Sequence, residues 1–296
     1  MKNLLKWVFA LVSVISLISC SSTSPSGPSS STPTDSTMLG GIRKLMTGMW
    51  WVEFENDTTV KVKDTANVTI ITRDTVVHHK RTIVNSVNVV NGDLYYQLES
   101  SDTVVPVTGN PTITYLTLMH TATEVQYTMP PSAWFSDSIR VKLYDLPLAT
   151  GKSWQTFNVV GDSTMRVLFG LVWIKLNVDY SYNGQSQVTG TTGYHFGDST
   201  RSCFVLSNTT ISHAAVISDT NIIFLADTLI HQNDTILVSK TVETSSSYVN
   251  DELSIPLWSY DVQAQSDTNY TNGVVERDTT RKGTWITAYL DTRILQ

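Results

Sequence analysis

The sequence predicts an all-β fold, an antiparallel meander that forms a strongly curled sheet, an open barrel or a sandwich. Three observations predict it. Apolar residues recur with period two through most of residues 38–296, the signature of half-buried strands rather than helices. Turn-type dipeptides, Asn-Gly and Asp-Thr above all, arrive at short intervals between them. Thr, Ser and Asn supply much of the polarity, since charged residues make up only 16% of the chain against about 25% in ordinary soluble domains.

The N-terminus is of another kind. Lys2 and Lys6 flank the start of an apolar run from Trp7 to Ile18, which fits a secretory signal and is short for a transmembrane helix. It closes on Leu17-Ile18-Ser19-Cys20, and these four residues resemble the lipobox of bacterial lipoproteins. The resemblance implies cleavage before Cys20, acylation of its thiol, and a membrane partner reached through that lipid. Ser21 and Ser22 follow with no Asp; by analogy with such lipoproteins this favours the outer membrane. The domain reading is therefore a signal peptide over 1–19, a disordered Ser/Thr/Pro-rich tether over 20–37, and an all-β domain over 38–296. LPLATGKSW (146–154) is a candidate seam within it.

Along that domain, Trp50, Val52 and Phe54 alternate with Trp51, Glu53 and Glu55. Val172, Ile174, Leu176, Val178, Tyr180 and Tyr182 alternate with Trp173, Lys175, Asn177 and Asp179. Asn91-Gly92 and Asn183-Gly184 each predict a two-residue hairpin. A short helix is expected only around Met38–Met46. The Asp-Thr pairs at 57, 64, 74, 102, 219, 227, 234, 267, 278 and 291 are too widely spaced for a calcium loop. They are expected to end one strand and open the next, with Asp at the first turn position.

A second resemblance follows from WWVEFENDTTV, DTANVTIITRDT, NGDLYYQLES, LYDLPLATGKSWQ and STRSCFVLSN in that order, over roughly residues 48–208. It is similar to a group of all-β bacterial envelope lipoproteins. It implies a fold and a location but no activity.

Few residues suggest chemistry. The formal net charge of −6, with no basic patch, argues against nucleic acid. No cofactor motif and no metal-ligand spacing is present: His78-His79 point to opposite faces of a strand, and Gly151-Lys152-Ser153 lacks the upstream glycine of a phosphate loop. Cys203 reads as a buried, inert thiol. Glu53 and Glu55 would stand about 6–7 Å apart on one strand face, most simply a solvated face beside Trp51. Trp51 and Trp173 sit on otherwise polar faces. They either line a cavity, as weak ligand-binding candidates, or pack beneath a neighbouring loop. The leading functional expectation is a non-catalytic binding or structural envelope protein. The alternatives are a carrier of a lipid or other hydrophobic ligand, and a glycan-active enzyme using Glu53 or Glu55.

Overall fold

In the computed structural model the described residues are 38–65, 68–102, 113–129, 138–169, 172–219, 222–224, 227–230, 232–251 and 255–290. The expected signal peptide, Cys20 and tether lie outside them. The first strands are β1 (Met38–Leu39), β2 (Ile42–Arg43), β3 (Trp50–Asp64), β4 (Thr69–Val90) and β5 (Asp93–Asp102). Then come β6 (Ile113–His120), β7 (Glu124–Met129), β8 (Ile139–Asp145), β9 (Ser153–Phe169), β10 (Val172–Phe196) and β11 (Ser199–Ser218). The last are β12 (Ile222–Phe224), β13 (Asp227–Ile230), β14 (Thr235–Val249), β15 (Pro256–Asn269) and β16 (Val274–Leu290).

Twelve of these form one antiparallel sheet in the order β8-β7-β6-β5-β4-β3-β16-β15-β14-β11-β10-β9. The sheet curls into a nearly closed barrel. β3 and β16, far apart in the chain, are paired neighbours in the wall, while the free edges are the consecutive strands β8 and β9. Tyr144, Leu146, Leu148 and Trp154 pack together across that seam.

An eight-stranded barrel can be filled by its own side chains, and twelve strands enclose more space than that. Here one end is filled from outside the wall. Residues 38–49 turn through the β1–β2 hairpin and cross the barrel as a stopper. Ile42 joins Val125, Tyr144, Trp154, Val188, Leu206 and Val249, and Leu45 and Met49 join Trp51, Val84, Tyr96, Leu98, Leu257 and Ile286. Backbone bonds fix the segment at both ends: Arg43 N donates to Asp251 O, and Gly48 N to Val84 O, each at 2.8 Å. The helix expected at 38–46 is thus replaced by extended chain. Gly40 and Gly41, at φ 62° and 87°, make the hairpin turn instead. Cys203 is buried and free, as expected, and burial pushes its thiol pKa up.

Two further expectations are corrected by strand length. Asn91-Gly92 does turn between β4 and β5, with φ 54° and 92°, but Asn183-Gly184 lies inside β10, paired on both sides. Gly184 is there because a side chain would collide with Thr156 and Phe157 of β9. Likewise Asp64 and Asp234 stand at strand ends, but Asp57, Asp74, Asp267 and Asp278 stand inside β3, β4, β15 and β16. Neighbouring residues of a strand face opposite ways, so each of those dipeptides sends its Asp into the barrel and its Thr outward.

Candidate functional site: the barrel lumen

Register fixes which side chains face inward. Trp51 and Glu55 are buried, so Glu53, Asp57, Thr59, Lys61 and Lys63 share their inner face of β3. Glu55 faces Thr284, Asp57 faces Lys282, and Thr59 faces Thr280 on β16; on β15 Lys282 faces Asp261 and Thr280 faces Gln263. Above the stopper, the inner wall built by β3, β4, β16, β15 and β14 is therefore mostly polar, with Val76 and Ile70 of β4 as apolar members. The solvated-face reading of Glu53 and Glu55 fails, because that face is the inside of a barrel and Glu55 is only 5% exposed.

The lower part of the lumen is a network of carboxylates and lysines. Glu55 accepts from Lys80 Nζ and Lys282 Nζ, each at 3.1 Å. Burial alone would raise the Glu55 pKa, but Lys282 and Lys80 outweigh it and hold the carboxyl below its ordinary 4.5. Glu53 goes the other way. Burial pushes it up, and the nearby Glu55 charge adds to this against the Trp51 indole N–H, which donates to Glu53 Oε1 at 2.9 Å. Asp261 is pushed up to about 6, first by burial and then by Glu243. Ser186, Asn208 and Ser245 form a hydrogen-bonded line across β10, β11 and β14 that reaches Asp261. One Asp57 oxygen, in the same tier, is buried with no hydrogen-bond partner.

These shifts have opposite consequences for stability. Glu55, depressed on folding, stabilises above pH 4.5, and that contribution is lost as the pH falls through its folded value. Asp261, raised from 3.8, favours the folded state most when protonated, and that stability is lost as the pH rises through about 6. Asp261→Asn is therefore expected to be more stable than the parent at pH 8, with the difference shrinking below pH 6 and vanishing near pH 4. Urea midpoints at the three pH values measure it.

Above this tier a cavity of about 300 Å³ opens, lined by Thr59, Lys61, Asp74, Gln263, Gln265, Asp278 and Thr280. Thr59 and Thr280 hydroxyls lie 3.1 Å apart, and Lys61 faces Asp278 at 3.7 Å. Gln265 Nε2 donates to both Asp267 oxygens, at 3.2 and 2.9 Å, which fixes the amide. Higher still, Lys63 pairs with Glu276. Among the described residues no cluster of His, Cys, Asp or Glu is arranged to hold a metal ion.

Of the residues singled out in the sequence, Trp51 lies under Leu45 and Met49 of the stopper, 5% exposed, so its ring is part of the core and positions Glu53. Trp173 falls on β10, and its side chain lies outside the described residues. Asp261, Gln263, Gln265 and Lys282 carry no sequence signature. The alternation within QAQSDTNY and RDTTRKGTW was the available signal, because it sends polar residues to both faces.

No protein-family model and no curated protein matches the chain. Among solved structures it is similar to Pseudomonas aeruginosa OpdQ, with 6% identity and TM-score 0.30 over 86% of this chain and 100% of that one. It is also similar to the outer membrane protein OprD of the same species, at 8% identity and TM-score 0.27 over 84% and 96%. For Ail, the attachment invasion locus protein of Yersinia pestis, the values are 7% and 0.21 over 81% and 99%. Likenesses of this size carry no argument about placement or activity.

Proposed function

We propose that this chain is a non-catalytic lipoprotein of the cell envelope, held at the outer membrane through lipid on Cys20, whose barrel binds a neutral, polyhydroxylated ligand such as an oligosaccharide. The observation that carries the binding role is the 300 Å³ cavity with seven polar residues in its lining. The Gln263 amide, the Gln265 carbonyl and two hydroxyls offer donors and acceptors to sugar hydroxyls; Lys61 is offset by Asp278, and Asp74 leaves the lining with a negative charge that disfavours anions. A lining of that kind does not suit a lipid or other hydrophobic cargo.

Anchoring by lipid, rather than by the barrel wall, is supported by the outer face. Arg73, Asp162, Lys175, Asp179, Lys240, Arg277 and Arg281 are exposed on its upper half. Facing a bilayer core, each Arg or Lys would cost about 2–4 kcal/mol. A glycan-active enzyme is the second reading, favoured by the contrast between Glu53, raised, and Glu55, depressed, on one strand face.

Calorimetric titration of the mature chain with neutral oligosaccharides tests the proposal. Saturable binding without product release is expected. Each lost hydrogen bond is worth about 0.5–1.5 kcal/mol, so Gln263→Ala with Gln265→Ala should weaken it about tenfold. Binding undiminished in Thr280→Trp, which fills the cavity, would sink the site, and turnover abolished in Glu53→Gln would favour the enzyme.

A further inference from the structure

The outer face of the barrel carries a feature that the lumen does not explain. Tyr248, Trp258, Trp285, Phe54 and His79 are successive directly paired residues on β14, β15, β16, β3 and β4, so five ring-bearing side chains stand in one row across the wall. Tyr248 and Trp258 rings lie 4.6 Å apart, Trp285 and Phe54 4.4 Å, and Phe54 and His79 4.8 Å. Beyond Tyr248 the paired positions are Val205 and Gly190, so the row ends there; Tyr194, four residues along β10, meets the Tyr248 ring at 5.8 Å, and both pack against the buried cluster that holds Cys203. The row's sequence neighbours Val249, Leu257 and Ile286 point inward and are buried. The row is thus the outer face of the tier that the stopper fills.

Its two flanks differ. Toward the stoppered end come Val52 and Ala288, then Trp50 and Ile83, with the Arg81 guanidinium 4.9 Å above the Trp50 ring. Toward the open end come Val77, Asn56, Gly283, Tyr260, Ser246 and Ser207, and then Arg281 beside Val262. On β3 and β16 the flank toward the stoppered end is apolar and the flank toward the open end polar, while β4 carries Arg81 on the first side and Val77 on the second. A Trp/Tyr row between an apolar and a polar flank is the arrangement found where protein meets the boundary of a bilayer, because the ring takes the apolar side and its N–H or O–H the wet side.

The chain itself supplies the occupant. Residues 20–37 join Cys20 to Met38, and Met38 begins the stopper, at the same end of the barrel as the row's apolar flank. Eighteen residues reach at most about 65 Å when fully extended, so a lipid on Cys20 would keep this end close to the bilayer and raise its effective concentration there.

We propose that the aromatic row is a second membrane contact, seated in the headgroup layer of the bilayer that holds Cys20, with the open lumen directed away from it. The inference rests on the reading that Cys20 is acylated, so the experiment treats the two separately. Mass spectrometry of the Cys20 peptide reports the anchor alone. For the row, mature protein is bound to vesicles of phosphatidylethanolamine and phosphatidylglycerol, 3:1, containing a dibrominated lipid, and tryptophan quenching is read. Quenching is expected in the parent, and Trp258→Ser with Trp285→Ser should reduce the quenched fraction at least twofold, whereas Trp154→Phe, inside the barrel, should leave it unchanged. The unacylated Cys20→Ala chain should bind the same vesicles weakly and lose several-fold more affinity with the two serines. Equal quenching with and without Trp258 and Trp285 overturns the proposal. So does a dimer that shields both rings from acrylamide in the absence of lipid, or retention of the Cys20→Ala chain on a glycan matrix through these two rings.

Discussion

Leu257→Ala should lower the unfolding free energy by about 2–5 kcal/mol, the range for truncating a fully buried leucine whose surroundings cannot collapse. Leu257 is 0% exposed and sits in the cluster that joins the stopper residues Leu45 and Met49 to Trp51, Tyr96 and Ile286. Trp51, Tyr96 and Ile286 are held by strands with fixed hydrogen bonds, so the space left by three carbons stays open. Total stabilities of domains are about 5–15 kcal/mol, so the loss is a large fraction of the whole. A urea midpoint shift with unchanged slope measures it. A loss under 1 kcal/mol would mean that the stopper is not packed as described.

The second large effect concerns how the stopper enters. Gly40→Val is expected to release residues 38–49 from the barrel. A Cβ at Gly40 would collide with the carbonyl oxygen of Ala122 and come within 2.8 Å of Leu146 Cδ1, and the backbone there has φ +62°. Left-handed backbone costs a non-glycine residue roughly 1–2 kcal/mol, and forced overpacking adds about 1–3. Limited proteolysis should then cut between Gly40 and Met49 in the variant but not in the parent. Gly92→Ala, also left-handed but with open space around its Cβ, separates backbone strain from collision: it should destabilise without exposing the stopper.

The all-β class and the alternation of Leu176 and Val178 with Lys175 and Asp179 were legible because period two is a local property of the chain. Strand length was not. Asn183-Gly184 and the Asp-Thr pairs have turn chemistry in isolation, but in β10, β3 and β16 the neighbouring strands supply hydrogen bonds on both sides and the chain continues. Nor could alternation alone say which face is inside. In most small barrels the apolar face is inside, but here the wall is wide and the interior above the stopper is wet. Glu53, Glu55 and Asp57 therefore turn inward, while Trp50, Val52 and Phe54 turn out. The candidate site was unreadable for a related reason: Thr59, Gln263 and Thr280 meet only because the first and last long strands pair.

That pairing also governs how the fold can form. Thr59 and Thr280 are 221 residues apart, so the wall closes through contacts of very high sequence separation, which slow folding. Hairpins such as β4–β5 and β9–β10 can zip up as soon as their own residues are free. The β3–β16 ladder must wait for β16, the last of the twelve strands in chain order, and until then β3 presents an unpaired edge to other molecules. The covalent chain is open where the sheet is continuous, and the sheet is open where the chain is continuous, at the β8–β9 connection. Cutting and rejoining the chain so that it begins at β9 and ends at β8 would turn the slowest contact of the fold into a local hairpin.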